Sequence, residues 1–286
     1  SLFGYLSNDK FGYAKDRSYK YTNLLASAKW KHTFSNTFYF NVVAGLSNYL
    51  YQLSESDSLR PWESLKINSL VIYRNLKANF SWLPLDNHAI DFGINGVLYN
   101  ITPGDQSPLG PESQIQLLKM PSEKAGEYAL YITDNFKISP DLTIDIGLRY
   151  SLYTYLGPAK VYSFMTALPR SRESITDSTL YRRNEIVHTY SGLEPRISLR
   201  FGISDDRSVK FSFNRIHQYI NLVSNTAIMT PSDVWKLSSP ELRPLRVDHM
   251  AMGYFQNFMK NSIESSIEIY YKSLKNAIDY KNGAKI

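Results

Sequence analysis

Residues 123–153, EKAGEYALYITDNFKISPDLTIDIGLRYSLY, decide the fold. From Leu142 to Leu152 every even position is large and apolar (Leu142, Ile144, Ile146, Leu148, Tyr150, Leu152), and the odd ones are Thr143, Asp145, Gly147, Arg149 and Ser151. A helix would scatter these six side chains around its circumference, whereas a strand sorts them onto one face. Pro140, in the turn Ser139-Pro140-Asp141, blocks helical continuation. Two alternating segments around a tight turn make a hairpin with an apolar and a polar face. Soluble sandwiches contain such hairpins too, so the rest of the chain has to separate a soluble β protein from a membrane barrel.

Working outward, the same period recurs. Leu24, Ala26, Ala28 and Trp30 oppose Asn23, Ser27, Lys29 and Lys31, and Phe38, Phe40, Val42, Ala44 and Leu46 oppose Asn41, Gly45 and Ser47. Further segments cover about 67–82 and about 90–99, then 197–201, 209–213 and 263–272, and one near 245–256 alternates too poorly to assign faces. With the opening hairpin this predicts ten strands. Their nine connections go short, long, short, long, with long loops at about 50–64, 101–122, 155–185 and 217–243. Short turns on one side and long loops on the other are the pattern of an outer-membrane barrel. Phe34, Phe38, Phe80, Trp82, Phe136, Phe201, Phe211 and Phe255 fall near the short turns, and Tyr21, Tyr49, Tyr51, Tyr73, Tyr99, Tyr128, Tyr150, Tyr190 and Tyr219 near the long loops, as two interfacial girdles would.

Composition narrows the function classes. There is no Cys, which removes disulfide frameworks and cysteine zinc sites, and the five His are far apart with no HExxH, so no metal centre is expected. The net charge of +6 is spread along the chain without a basic run, so no nucleic-acid partner is expected. No apolar stretch approaches the roughly 18 residues of a spanning helix, whereas barrel strands need only about 9–11. Phosphate-loop, dinucleotide and hydrolase-elbow motifs are missing, and no cofactor is expected.

Two carboxylate arrangements invite a catalytic reading. Glu264 and Glu268 face the same way but stand about 13 Å apart along a strand, beyond the reach of a paired-carboxylate mechanism. Asp248 and His249 are adjacent, so on a strand they point to opposite faces. On the polar faces Lys29, Lys31, Lys77, Arg149, Arg196, Arg200, Lys210 and Lys272 outnumber Asp91, Asp145, Glu264 and Glu268, which implies a wet or plugged lumen whose charges can pair with one another. No enzymatic role is expected.

EYALYITDNFKISPDLTIDIGLRYSLY resembles the barrel hairpin of TonB-dependent receptors, with a Y-x-x-D strand at Tyr131 to Asp134, a short turn, and a G-L-R-Y strand at Gly147 to Tyr150. KWKHTFSNTFYF, LEPRISLRF around Glu194-Pro195-Arg196, NRIHQYINLVSNTAIMTPSDVW and IEIYYKSLKNAIDY extend the resemblance to the Bacteroidetes type. The resemblance implies a plugged 22-stranded barrel that imports a bulky, scarce nutrient such as a glycan or siderophore using energy passed on by TonB. The chain departs from that pattern in lacking a TonB box, a plug and a final strand with a terminal aromatic. Residues 1–286 are therefore expected to be a middle portion of the barrel, with the plug domain and remaining strands elsewhere.

The expectation is an all-β, antiparallel transmembrane barrel segment of about ten strands in five hairpins, in the outer membrane. Its implied partners are outer-membrane lipid, the plug and TonB system, an extracellular nutrient ligand and a surface lipoprotein. In the long loops Trp62, Tyr162 and Trp235 are the candidate ligand-contacting residues, with ligand stacking as one reading and loop packing as the other. Asp134 and Arg149 are expected to be scaffold residues. The alternatives are a self-contained ten-stranded barrel, acting as a porin or omptin-like surface protease, and a secreted carbohydrate-binding β protein.

Overall fold

The computed structural model describes residues 1–13, 16–166, 168–169, 171–223, 234–259 and 262–278. Their strands are β1 (Leu2–Tyr13), β2 (Arg17–Ser35), β3 (Phe38–Glu55), β4 (Leu65–Leu85), β5 (His88–Pro108), β6 (Glu123–Lys137), β7 (Leu142–Leu156), β8 (Ala159–Phe164), β9 (Ile175–Tyr181), β10 (Ile186–Ser204), β11 (Arg207–Gln218), β12 (Ile220–Val223), β13 (Val234–Leu237), β14 (Leu245–Phe258) and β15 (Ile263–Lys275). Eleven of them form one sheet in the order β1-β2-β3-β4-β5-β6-β7-β10-β11-β14-β15, and β8-β9 and β12-β13 form two small hairpins of their own. Every pairing is antiparallel, and β1 and β15 are the two edges.

The sheet has the expected antiparallel architecture of about ten strands, with eleven in all. The additional strand is β1, whose apolar alternation fades at Asn8, Lys10 and Gly12; it forms because each of its residues finds a backbone partner on β2, from Leu2 with Ala28 to Tyr13 with Arg17. Its connection to β2 lies at the long-loop end, where Arg17 also pairs with Glu55, yet is short. The other nine connections keep the expected alternation. The strands are longer than their greasy cores: β4 and β5 have 21 residues each, about twice what a bilayer requires. Their polar extensions, such as Gln52 opposite Lys20 and Asn68, turn much of the expected loops 50–64 and 101–122 into wall.

The register aligns side chains into rows across the sheet. Val42, Ala78, Ile94, Leu130 and Tyr150 make one row, and Ala44, Leu76, Gly96, Tyr128 and Leu152 the next. These rows are bare: Leu130 is 60% and Leu76 56% exposed, values a soluble sandwich would not leave on a continuous aliphatic belt. Toward the short turns the same face carries stacked rings, Phe34 on Phe38, Phe40 on Phe80 and Phe80 on Phe92 with centroids 5.0–5.3 Å apart, and Trp30 meets Phe40 edge-on. Centroid separations in this range are favourable for aromatic pairs.

The second expected girdle is corrected. Of the nine tyrosines near the long loops only Tyr128 and Tyr150 stand exposed on the apolar face, whereas Tyr51, Tyr99 and Tyr219 are buried and the other four are half-buried. Odd-numbered Tyr73 and Tyr99 point to the polar face, where a folded-back loop covers them. Phe255 also departs from its expected group, lying beneath Lys210 with the ammonium 4.3 Å from its ring centre.

Candidate functional site

The polar face gathers its buried groups at the long-loop end. After β11 the chain turns inward, and β13 packs across the sheet against β5 and β6. Leu237 and Tyr219 from this segment join Val97, Tyr99, Ile101, Ala125 and Tyr153 in a buried cluster, with Trp235 packed against it. Tyr153 stacks on Tyr219 with ring centres 4.6 Å apart, and donates to the Ser238 carbonyl at 2.7 Å. Tyr190 donates likewise to the Ser239 carbonyl at 2.8 Å. A carboxylate completes the attachment: Glu123 accepts from Lys236 Nζ at 2.6 Å and from the Leu237 amide at 2.9 Å.

Beneath this strap runs a hydrogen-bonded charge network. Arg149 donates to Glu127 at 3.2 Å and its Nε lies 3.4 Å from Glu194, which also accepts from Ser151 and from the His217 amide. Tyr99 donates to Glu127 at 2.9 Å. Each carboxylate is thus matched by a cation or hydroxyl, which is what burial of charge demands. Toward the short turns the pattern changes. Lys77 sits over the Tyr131 ring, Tyr131 donates to Asn79, and Asp91 accepts from Asn79 and Ser81. Gly93 permits this reach, since a Cβ there would lie 2.2 Å from the Ala78 carbonyl and 2.7 Å from the Tyr131 hydroxyl. Lys77, Asn79, Asp91 and Tyr131, with Arg149 and Arg196, line a polar cavity of about 270 Å³.

A second polar cavity of about 430 Å³ opens beside the strap, lined by His188, Tyr190, Ser191, His217, Tyr219, Arg243, Arg246 and Asn276 with Pro240 and Pro244. No carboxylate lines it. Cation and aromatic groups converge there, so it can accept hydrogen-bond acceptors and planar rings.

The expected ligand contacts lie on three separate loop elements. Trp62 is 46% exposed in the β3–β4 loop, and its carbonyl accepts from the Gln114 amide and so ties two loops together. Tyr162 is 38% exposed on β8, with Lys160 Nζ 5.2 Å from its ring centre. Trp235 faces the buried cluster. The residues of the larger cavity, His188, His217, Arg243 and Arg246, escaped the sequence because they come from β10, β11, β14 and the segment before β14, and only pairing and fold-back assemble them. Asp134 is on the apolar face, bonded to His88 at 2.8 Å, and Asp248 is held by Arg215 and Arg246 while His249 lies 6.0 Å from Tyr270 between ring centres. Among the described residues no group of three or more His, Asp or Glu is placed to hold a metal ion.

A long antiparallel sheet with one bare aliphatic face, one polar face, and short and long connections at opposite ends is the wall of a β-barrel. The family model described as TonB dependent receptor-like, beta-barrel matches residues 2–285, and the chain belongs to that family. The solved structures agree in fold. The copper transporter OprC superposes with a TM-score of 0.64 at 10% identity over 96% of this chain and 42% of that one. The ferric-catecholate import receptor Fiu from E. coli K12 does so with 0.57 at 10% over 95% and 43%, and the ferric preacinetobactin receptor BauA from Acinetobacter baumannii with 0.57 at 12% over 89% and 37%. The chain thus spans less than half the length of these structures. No curated protein sequence matches it.

Proposed function

We propose that residues 1–286 are part of the barrel of a Bacteroidetes-type TonB-dependent receptor in the outer membrane, importing a bulky nutrient such as a glycan or siderophore. The observation that carries this is the division of one family-typical sheet into a bare aliphatic face for lipid and a polar, charge-paired face for a lumen. In this reading the unpaired edges β1 and β15 meet the remaining strands, the plug fills the polar face, and TonB supplies energy through the plug. The long loops meet the ligand and a surface lipoprotein. Trp62 and Tyr162 offer exposed rings for stacking, and Trp235 acts through the strap it anchors. The role is transport without catalysis: Asp248 is engaged by two arginines, and Glu264 and Glu268 stand four residues apart on β15.

Growth of a deletion strain on a panel of glycans and ferric siderophores tests the reading. Loss of growth on one nutrient, reproduced by disrupting TonB, is expected. Growth that depends on the receptor but not on TonB would contradict it.

A further inference from the structure

The apolar face contains a groove of about 590 Å³, lined by Val42, Leu76, Ala78, Ile94, Gly96, Tyr128, Leu130, Tyr150 and Leu152. Its floor is low because Ala78 and Gly96 present little or no side chain between the taller Leu76, Ile94 and Leu130. Toward the long loops the next row runs Leu46, Arg74, Leu98, Gly126, Thr154, and the one beyond it Asn48, Ile72, Asn100, Lys124, Leu156. The two rows beyond the groove therefore carry a guanidinium, an ammonium and two amides.

Neither row contains an acidic side chain. Among the described residues the Arg74 and Lys124 side chains have no ion pair and no hydrogen bond, in contrast to those of Arg149, Arg215 and Arg246 elsewhere in the sheet. A hydroxyl joins them. The Tyr128 ring leans over Gly126, where a Cβ would lie 2.6 Å from the Tyr128 hydroxyl, so that hydroxyl reaches the row of Arg74. Two unpaired cations at the margin of an aliphatic belt attract an anion that can share that margin.

We propose that this groove is a binding site for a phosphate-bearing membrane lipid, with one acyl chain along Ala78 and Gly96 and the phosphate received by Arg74, Lys124 and the Tyr128 hydroxyl. The proposal rests on the outer-membrane reading above. Charge complementarity selects the occupant: a protein partner needs a wide surface, whereas this groove is two rows long, with unpaired cations in the two rows beyond one end. Free phosphate supplies the charge but nothing for the apolar floor.

Native mass spectrometry on the intact, delipidated receptor in detergent tests this with dimyristoyl phosphatidate and dimyristoyl glycerol, which differ by the phosphate alone. The wild type is expected to retain phosphatidate about thirtyfold more strongly than the glyceride, since each of the two basic residues near a membrane surface contributes on the order of 1 kcal/mol. Arg74→Gln/Lys124→Gln should lose that preference while keeping the heat-modifiable gel mobility of a folded barrel. Equal retention of both lipids by the wild type, an unchanged preference in the variant, or full displacement by millimolar inorganic phosphate would each overturn the proposal. A receptor that cannot be extracted as a folded barrel would overturn the membrane reading and this site with it. A folded barrel without the preference overturns the lipid site alone.

Discussion

Two aromatic regions of the sheet have opposite fates. At the short-turn end Phe34, Phe38, Phe40, Phe80 and Phe92 stack along the apolar face, with Trp30 and Trp82 exposed beside them. At the long-loop end Tyr99, Tyr153 and Tyr219 pack on the polar face and are buried. The rings differ in parity: Phe38, Phe40, Phe80 and Phe92 are even-numbered on strands whose even positions face outward, whereas Tyr73, Tyr99 and Tyr153 are odd. A one-residue step in register thus separates a ladder on the bare apolar face from a covered core on the polar face. The first needs only neighbours in its own sheet, and the second needs a strap from β12 and β13 to cover it.

The largest effect is expected where the strap and the core share a side chain. Tyr153→Ala removes a fully buried ring, its stack on Tyr219 and its bond to the Ser238 carbonyl, and should destabilise the strap by about 3 kcal/mol. Hydrogen exchange of residues 219–223 and 234–239 should rise accordingly, with β2–β4 unchanged. Next, Glu123→Gln weakens the bonds to Lys236 and Leu237 and should loosen the same segment by about 1–2 kcal/mol, read by the same exchange experiment. Phe80→Ala on the ladder should cost about 1 kcal/mol in unfolding from vesicles, because lipid replaces the lost contacts and only the stacks on Phe38, Phe40 and Phe92 are forfeited. A cost equal to that of Tyr153→Ala would erase the distinction between the regions.

The smallest effect concerns the β3–β4 loop, outside both regions. Asp57 accepts from the Leu59 and Arg60 amides and from the Arg60 guanidinium, and these bonds, the Leu59 amide first, hold its carboxyl below its ordinary value. A depressed folded pKa stabilises the loop above the unfolded value of about 3.9, and that contribution fades as pH falls through the folded value. Protection of the Leu59 and Arg60 amides, taken as exchange relative to the intrinsic rate at each pH, should therefore fall only below about pH 4, and Asp57→Asn should remove that fall.

The ladder was legible in the sequence and the buried core was not, for a physical reason. Alternation marks a side chain's face as soon as a strand is recognised, so Leu142 to Leu152 and Phe38 to Leu46 could be assigned directly. What covers that face is a long-range property. Ser151 meets Tyr219 across 68 residues and Glu123 meets Leu237 across 114, and no local period records either pairing. Strand β1 was missed for a related reason, since its order comes from β2 more than from its own pattern. Of the loop aromatics, Trp62 and Tyr162 stand exposed, whereas the cations of the larger cavity, Arg243 and Arg246, carried no signal until the strap brought them beside His188 and His217.

The assignment of the two faces is tested most directly by residue-by-residue accessibility along β6. These 286 residues contain no Cys, so single cysteines from Tyr128→Cys to Thr133→Cys, in an intact receptor with any cysteine outside them replaced by Ser, can each carry a spin label in vesicles. Collisions with oxygen, which concentrates in lipid, should be high at 128, 130 and 132 and low at 129, 131 and 133, and a water-soluble nickel complex should not reach the first set. Uniform accessibility, or nickel reaching 128, 130 and 132, would contradict the placement of this sheet as a membrane-spanning wall.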